Sequence, residues 1–173
     1  MLGVWLRMLT PAAQVESVME IDLELLDRLG VKALLLDLDN TLLAWNQHEL
    51  TEEVREWVDL ATGRGFKLCL VSNATPKRLG VQSRELGIPC VPSAQKPRRR
   101  ALRKALRLLE VQPGQAAMVG DQVFTDVLAG NRLGLYTILV IPLHLKEQWW
   151  MKWVRQLEGL IIWWLQRSRN AWG

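Results

Sequence analysis

Cysteine, histidine and the smaller aromatic residues are all scarce in this chain of 173 residues. The two cysteines, Cys69 and Cys90, cannot build a disulfide framework or a four-cysteine zinc site. His48 and His144 lie too far apart for a helical metal motif. No run of about 18 uncharged apolar residues predicts a transmembrane helix, and the first ten residues lack the basic start of a signal peptide. We therefore expect a cytoplasmic protein whose thiols are reduced and buried.

The remaining composition is typical of a folded domain. Hydrophobic residues make up 49% and charged residues 23% of the chain, and the net charge of +4 is compatible with an anionic partner. Tryptophan is the exception, because the chain has nine Trp against one Tyr and two Phe. Six of the nine lie between Trp149 and Trp172, which marks that segment as distinct from the rest.

Apolar runs alternate with helical patterns from residue 31 to residue 141. We predict strands at residues 31–38, 66–71, 88–91, 116–119 and 135–141, and helices at residues 51–62, 76–86, 97–110 and 123–133. Such alternation predicts an α/β fold with a parallel sheet of about five strands, covered by helices on both faces. Binding sites in these folds gather beyond the carboxyl ends of the strands.

Polar side chains of complementary chemistry follow those strand ends. Carboxylates can serve as nucleophile, acid/base or ligands of Mg²⁺, a hydroxyl and an amide suit phosphate oxygens, and a lysine supplies a point positive charge. The residues concerned are Asp37, Asp39, Ser72, Asn73, Lys96, Asp121 and Asp126. Together they predict phosphoryl transfer with Mg²⁺ as cofactor.

This ordered set resembles the haloacid dehalogenase (HAD) superfamily of phosphatases, and within it the YqeG-like group of subfamily IIIA. The resemblance rests on Asp37–Leu42 with Trp45 after it, Val71–Asn73, Lys96-Pro97 and Gly120–Asp126. It implies the HAD-like Rossmannoid three-layer fold. It divides the chain into a lead-in segment with a helix (residues 1–30), a phosphatase core (residues 31–142) and a Trp-rich helix (residues 143–173).

The resemblance also implies a role for each site residue. Asp37 would attack phosphorus to form an aspartyl-phosphate, and Asp39 would protonate the leaving oxygen and then activate water. The residues implied for the transferring phosphoryl group are Ser72, Asn73 and Lys96. Mg²⁺ would bind Asp37, the backbone carbonyl of Asp39 and Asp121, with Asp126 contributing through water or by holding another ligand.

The short connections between the motifs leave no room for a cap domain, which the family associates with large or membrane-held substrates. Relatives of the YqeG-like group act as phosphatidylglycerophosphate phosphatases. The resemblance therefore implies hydrolysis of phosphatidylglycerophosphate to phosphatidylglycerol, with an anionic phospholipid rather than nucleic acid as the partner.

Two amphipathic patterns in the sequence predict surfaces that could contact a partner. On a helical wheel, Arg99, Arg100, Arg103, Lys104 and Arg107 share one face, and Ala101, Leu102, Ala105, Leu108 and Leu109 share the other. The basic face is either an anion-binding surface or a solvated one. Residues 145–167 form an amphipathic Trp-rich pattern that predicts peripheral contact with a membrane, the alternatives being packing on the sheet or a dimer seam.

Two other functions remain open from the sequence. The first is a soluble HAD phosphatase acting on nucleic-acid ends, a protein or a metabolite, with the basic helix binding that partner. The second is a non-enzymatic membrane or assembly module. The intact carboxylate and lysine set argues against the second, because a scaffold does not need that cluster of charges.

Overall fold

Six parallel strands form one sheet in the part of the chain that the structure describes. This computed structural model describes residues 2–43, 47 and 49–141. The strand order is β1-β6-β5-β2-β3-β4, and every neighbouring pair is parallel. The strands are β1 (Ala13–Val15), β2 (Ala33–Leu36), β3 (Lys67–Val71), β4 (Cys90–Val91), β5 (Ala116–Gly120) and β6 (Tyr136–Val140).

Helices cover both faces of this sheet, as predicted. They are α1 (Leu2–Leu9), α2 (Leu23–Arg28), α3 (Glu52–Gly63), α4 (Pro76–Leu86), α5 (Arg100–Leu109) and α6 (Leu128–Asn131). One apolar core joins α2, α3 and α4 to one face, and a second joins α5 and α6 to the other. Side chains of β2 alternate between the cores, with Leu34 and Leu36 in the first and Leu35 in the second. This alternation follows from the two-residue period of a strand.

Helix α4 shows how local sequence sets an element. The Thr75 hydroxyl accepts the Arg78 N–H at its start, and Pro76 stands at an allowed first position. Gly87 ends the helix with a left-handed φ of 65°, a conformation that glycine adopts without a steric penalty. The predicted bounds of this helix, 76–86, are confirmed.

The sheet has one strand more than the five predicted, because part of the lead-in segment joins it. Ala13 pairs with Ile138 and Val15 with Val140, which makes β1 an edge strand beside β6. Val18, between β1 and α2, is buried in the first core. The lead-in therefore belongs to the same sheet and core as residues 31–141.

Two helices of the second layer begin differently from prediction. Helix α5 begins at Arg100 rather than at residue 97, because the chain first turns with the Arg98 N–H donating to Gln95 O at 2.9 Å. Residues Val123–Val127 form a π-helical turn before α6, and the Asp126 and Val127 N–H groups both donate to Gln122 O.

The basic face of α5 is exposed at Arg100, Arg103, Lys104 and Arg107. Leu108 was assigned to the apolar face but is 51% exposed, whereas Leu106 is buried. The buried arc is centred between Ala105 and Leu109, which leaves Leu108 at its edge beside Lys104.

Cys69 is buried as expected, but Cys90 on the short edge strand β4 is half-buried, and both are free thiols. Burial raises the pKa of Cys69 to about 12, with a further increase from Cys90 and a decrease from Lys104. None of the described helices is both long and apolar enough to cross a bilayer. The predictions for residues 145–167 and for Trp45 fall outside the described residues.

Candidate active site

Most of the predicted site residues follow three adjacent central strands, β5, β2 and β3, at one edge of the sheet, and Lys96 lies in the loop after β4. Asp37 follows β2, Ser72 follows β3, and Asp121 follows β5. Because the strands are parallel, their carboxyl ends share this edge. The chain proceeds outward from β2 through β3 and β4 and then crosses back to β5 on the other side, so β2 lies at a topological switch point.

Lys96 joins two of the predicted carboxylates. Its Nζ lies 2.7 Å from Asp37 Oδ1 and 2.6 Å from Asp126 Oδ1. All three side chains are at most 6% exposed. The Lys96 N–H donates to Asn73 Oδ1 at 3.0 Å, so Asn73 holds the lysine loop against the end of β3. Asp126, predicted as an indirect partner of Mg²⁺, also contacts Lys96 directly.

Asp37, Asp121 and Asp126 form a buried carboxylate cluster, in which one oxygen of each lies within 4.8 Å of the others. Asp121 Oδ2 accepts a hydrogen bond from Asn40 Nδ2 at 3.3 Å. Asp121 Oδ1 is buried and has no hydrogen-bond donor among the described residues. A buried carboxylate oxygen without a donor, beside two further carboxylates, is a donor set that suits a hard divalent cation. These residues therefore fit a metal ion.

The charges of the cluster perturb one another strongly. Burial, followed by the charges of Asp37 and Asp126, raises the pKa of Asp121 to about 7. Burial also raises the pKa of Asp126, although the ammonium of Lys96 opposes this. Burial lowers the pKa of Lys96, but Asp126 and Asp37 together raise it above its usual value. One lysine cannot neutralise three carboxylates, so a bound cation would relieve the remaining repulsion.

Asp39 occupies a different position from this cluster. Its side chain is 34% exposed and forms an ion pair with Arg78, whose Nη2 lies 2.6 Å from Asp39 Oδ1. The loop that carries it folds back on itself, because the Leu42 and Leu43 N–H groups both donate to Leu38 O at 3.0 Å. Asp39 therefore lies at the solvent-facing rim, while Asp37 lies below it in the buried cluster.

Ser72 is 1% exposed at the end of β3. Its hydroxyl accepts the Ala74 N–H at 3.2 Å, and its carbonyl accepts the Ala94 N–H at 3.0 Å. Ser72 thus links the loop after β3 to the loop after β4, which carries Lys96.

Gly120 is required for the position of Asp126. A Cβ at Gly120 would overlap the Asp126 carboxyl group and would lie 2.6 Å from the Asp126 Cβ. The glycine of the predicted Gly120-Asp121 motif therefore lets the Asp126 side chain pack against the end of β5.

Two further residues of the site were not among those predicted. Asn40 contacts Asp121, and its left-handed φ of 58° is a conformation that Asn tolerates better than most residues. Arg78 contacts Asp39 from the first turn of α4. A cation in the first turn of the helix that follows β3 was a usable signal for Arg78, because this turn must lie at the carboxyl edge of the sheet.

Comparisons with known proteins agree with this arrangement. A family model described as haloacid dehalogenase-like hydrolase matches residues 12–134. The chain is 36% identical over 158 residues to a Bacillus subtilis (strain 168) protein named "Probable phosphatase YqeG", which covers 91% of this chain and 92% of the relative.

A more distant relative is phosphatidylglycerophosphate phosphatase 1, chloroplastic/mitochondrial, from Arabidopsis thaliana, at 27% identity. The match covers 91% of this chain but 49% of the plant protein, so the chain spans about half of that relative's length. Among solved structures, a HAD superfamily (subfamily III A) hydrolase from Legionella pneumophila superposes with a TM-score of 0.52 at 19% identity. The superposition covers 69% of this chain and 71% of the other, and it shows a shared fold.

Proposed function

Because the chain belongs to the haloacid dehalogenase-like hydrolases and is a phosphatase of that type, we propose that it hydrolyses phosphatidylglycerophosphate to phosphatidylglycerol. The observation that carries the phosphatase chemistry is the buried contact of Lys96 with Asp37 and Asp126 beside Asp121. Three observations support the lipid substrate. They are the name of the plant relative, the lack of a separate domain over the site among the described residues, and the exposed basic face of α5.

In the proposed reaction an Asp37 carboxylate oxygen attacks phosphorus, and the bond from phosphorus to the ester oxygen breaks. Asp39 gives a proton to the leaving oxygen, which departs as the alcohol of phosphatidylglycerol. Asp39 then takes a proton from a water molecule that attacks the phosphoryl group on Asp37. Inorganic phosphate leaves, the Asp37 carboxylate is restored, and Asp39 again carries the proton that it gave to the leaving oxygen.

The residues proposed to hold the transferring group are Ser72, Asn73 and Lys96. Lys96 is already oriented by Asn73 and by the carboxylate of Asp37, to which it donates. A fixed ammonium near the reacting oxygens requires little reorganisation during the reaction. Ser72, whose oxygens accept N–H groups of two loops, keeps this side of the site in place.

Magnesium is the metal that we propose for the carboxylate cluster. Asp37, Asp121 and the backbone carbonyl of Asp39 would hold it, with Asp126 in the same cluster. When bound, Mg²⁺ supplies positive charge that offsets both the carboxylates and the phosphate oxygens. The ammonium of Lys96 already donates to Asp37 Oδ1 and so orders that carboxylate.

The elements between the motifs suit a large substrate. The described residues between Asp39 and Ser72 form α3 and β3, and those between Ser72 and Lys96 form α4 and β4. Each of these elements belongs to the sheet and its layers, so among the described residues no separate domain covers the site. Only the head phosphate of a lipid needs to reach Asp37, and the acyl chains can stay in the bilayer.

We further propose that the protein is cytoplasmic and associates peripherally with the membrane through residues 145–167. The exposed basic face of α5 adds a cationic surface that anionic lipids would attract. The same face favours one other candidate function, a soluble phosphatase acting on a different large polyanion, such as a nucleic-acid end.

Phosphate release from phosphatidylglycerophosphate in mixed micelles with Mg²⁺ tests the substrate, with glycerol 3-phosphate assayed in parallel. Wild type should prefer the lipid, and Asp37→Asn should abolish turnover while the fold, followed by circular dichroism, persists. Asp59→Asn is the matched control, because Asp59 is exposed on α3 away from the site. Equal or faster hydrolysis of glycerol 3-phosphate would contradict the lipid assignment, and turnover by Asp37→Asn would contradict the nucleophile.

Flotation with vesicles tests the membrane contact. Removing residues 145–173 should abolish association with anionic vesicles and spare hydrolysis of glycerol 3-phosphate. Unchanged flotation after the truncation would contradict the role proposed for residues 145–167.

A further inference from the structure

The guanidinium of Arg78 forms an ion pair with the carboxylate of Asp39 at the rim of the site. Nη2 lies 2.6 Å from Oδ1, and Nη1 donates to Oδ2 at 3.5 Å, so the two planar groups face each other in a two-pronged contact. The Arg78 side chain is 42% exposed and that of Asp39 is 34% exposed, against 6% for Asp37. Arg78 and Asp39 are therefore open to solvent at the rim, whereas Asp37 is buried.

The fold holds the backbone of Arg78 in this place. The Arg78 N–H donates to the Thr75 hydroxyl at 3.4 Å, and the Leu79 N–H donates to Thr75 O at 3.0 Å. Leu79 is fully buried in the core that α4 shares with the sheet. The first turn of α4 is thus anchored at the carboxyl end of β3, and only the outer part of the Arg78 side chain is free to change partner.

The contact with Asp39 also tells which part of the substrate Arg78 faces. In the proposed reaction Asp39 serves the leaving oxygen, so a group that touches Asp39 lies on the leaving-group side. When Asp39 turns to that oxygen, the guanidinium loses at least part of its present partner. An exposed ion pair contributes little free energy, so the exchange of Asp39 for another anion costs little.

We propose that Arg78 is a specificity-determining residue that binds a second anionic group on the alcohol part of the substrate. This inference rests on the proposed function, because it requires Asp39 to serve the leaving oxygen. The fork of a guanidinium matches two oxygens of one anion, and it does so better than an ammonium. A phosphodiester is the class of anion that fits, since a phosphate monoester extended by a phosphodiester places a second pair of oxygens beyond the leaving oxygen.

Two soluble esters can distinguish binding of a second anion by Arg78 from a general effect of Arg78 on catalysis. Glycerol 3-phosphate and glycerophosphoglycerophosphate carry the same glycerol phosphomonoester, but only the second carries a phosphodiester on its alcohol part. Wild type should favour the second in kcat/KM by at least ~10-fold, the scale of a charge-assisted hydrogen bond. In Arg78→Gln this ratio should fall toward one, mainly through KM, and Arg78→Lys should keep part of it.

Lys77→Gln is the matched control, because it removes one exposed positive charge from the same helical turn. Its ratio should equal that of wild type. An Arg78→Gln variant that slows both esters by the same factor would overturn the proposal, since Arg78 would then act only through Asp39.

Binding in the Asp37→Asn background keeps the test independent of turnover. Calorimetric titration with both esters should show tighter binding of glycerophosphoglycerophosphate, and Arg78→Gln should remove that difference. Equal affinities with and without Arg78 would overturn the inference. Arg78-dependent binding without turnover of either ester by wild type would instead contradict the proposed function and leave the anion site standing.

Discussion

Replacing Gly120 with alanine should damage the site through a single added methyl group. The new Cβ would overlap the Asp126 carboxyl group and lie 2.6 Å from the Asp126 Cβ, whereas carbon atoms pack best at about 3.5–4.0 Å. Asp126 is 1% exposed and is held by Lys96 and by the Gln122 N–H at 3.1 Å. The carboxylate must therefore move by about 1 Å, at the expense of these two contacts.

The expected loss in the free energy of unfolding follows from these contacts. Overpacking of a filled interior costs about 1–3 kcal/mol. If the displacement separates Asp126 from Lys96 completely, the cost approaches the roughly 3–5 kcal/mol of a broken buried ion pair. Gly120→Ala should therefore lower the free energy of unfolding by at least ~1 kcal/mol, which corresponds to a fall in Tm of about 2–4 °C for each kcal/mol in a chain of this size.

Gly130→Ala supplies a control with similar crowding and different neighbours. Its Cβ would lie 2.6 Å from Thr137 Cγ2 and 3.1 Å from Met118 Cβ. We expect a comparable loss of stability, because a methyl group is again forced into a filled core. The carboxylate cluster should keep its geometry in this variant.

The deciding assay is phosphatase activity as a function of Mg²⁺ concentration, measured below the Tm of all three proteins. Gly120→Ala should need at least ~10-fold more Mg²⁺ or lose a comparable factor in kcat/KM, the usual effect of disturbing the partners of a metal site. Gly130→Ala should retain the Mg²⁺ dependence of wild type. A Gly120→Ala enzyme with unchanged Mg²⁺ dependence would refute the argument that Asp126 supports the metal cluster.

Two other perturbations test the charge of Asp121 in the carboxylate cluster and the charges on the basic face of α5. Because the folded-state pKa of Asp121 is raised to about 7, its contribution to stability is fully present below the unfolded value of about 4 and is lost as pH rises through 7. In urea titrations without metal, the free energy of unfolding of wild type should fall by up to roughly 4 kcal/mol more than that of Asp121→Asn between pH 4 and pH 8. Adding Mg²⁺ should reduce this fall. If the free energies of the two proteins change with pH in parallel, the prediction is wrong. Exposed cations contribute about 1 kcal/mol each near an anionic bilayer, so Arg103→Glu with Arg107→Glu should weaken flotation with anionic vesicles at least ~10-fold. The control pair Lys32→Glu and Arg64→Glu makes the same change in net charge at exposed positions outside α5. It should weaken flotation less, and an equal effect would show that net charge alone, rather than the basic face of α5, causes the attraction.

Much of the fold was predictable because its determinants are local. Thr75, Pro76 and Gly87 set the two ends of α4, and the apolar spacing of Val54, Trp57 and Val58 predicted the buried face of α3. The candidate site was predictable for a related reason. Parallel strands place their carboxyl ends at one edge, so residues that follow separate strands had to converge there.

The missed features depend on contacts between distant parts of the chain. Strand β1 is three residues long and exists through its pairing with β6, more than a hundred residues later. The π-helical turn at Val123–Val127 accompanies the placement of Asp126 against Lys96 and the Gln122 N–H. Neither has a side-chain period that distinguishes it from an ordinary loop or α-helix.

The sequence by itself determined the order of the strands and main helices from residue 31 to residue 141, the parallel sheet and the set of polar residues at its edge, because these follow from hydrophobic periodicity, helix caps and strand direction. Only the tertiary structure decided which of those residues touch. It buried Asp37, Asp121 and Asp126 around Lys96 and left Asp39 at the rim with Arg78. The physical reason is that burial and ion pairing depend on how the loops after β2, β3 and β5 meet in space, and no local pattern in any one loop contains that information.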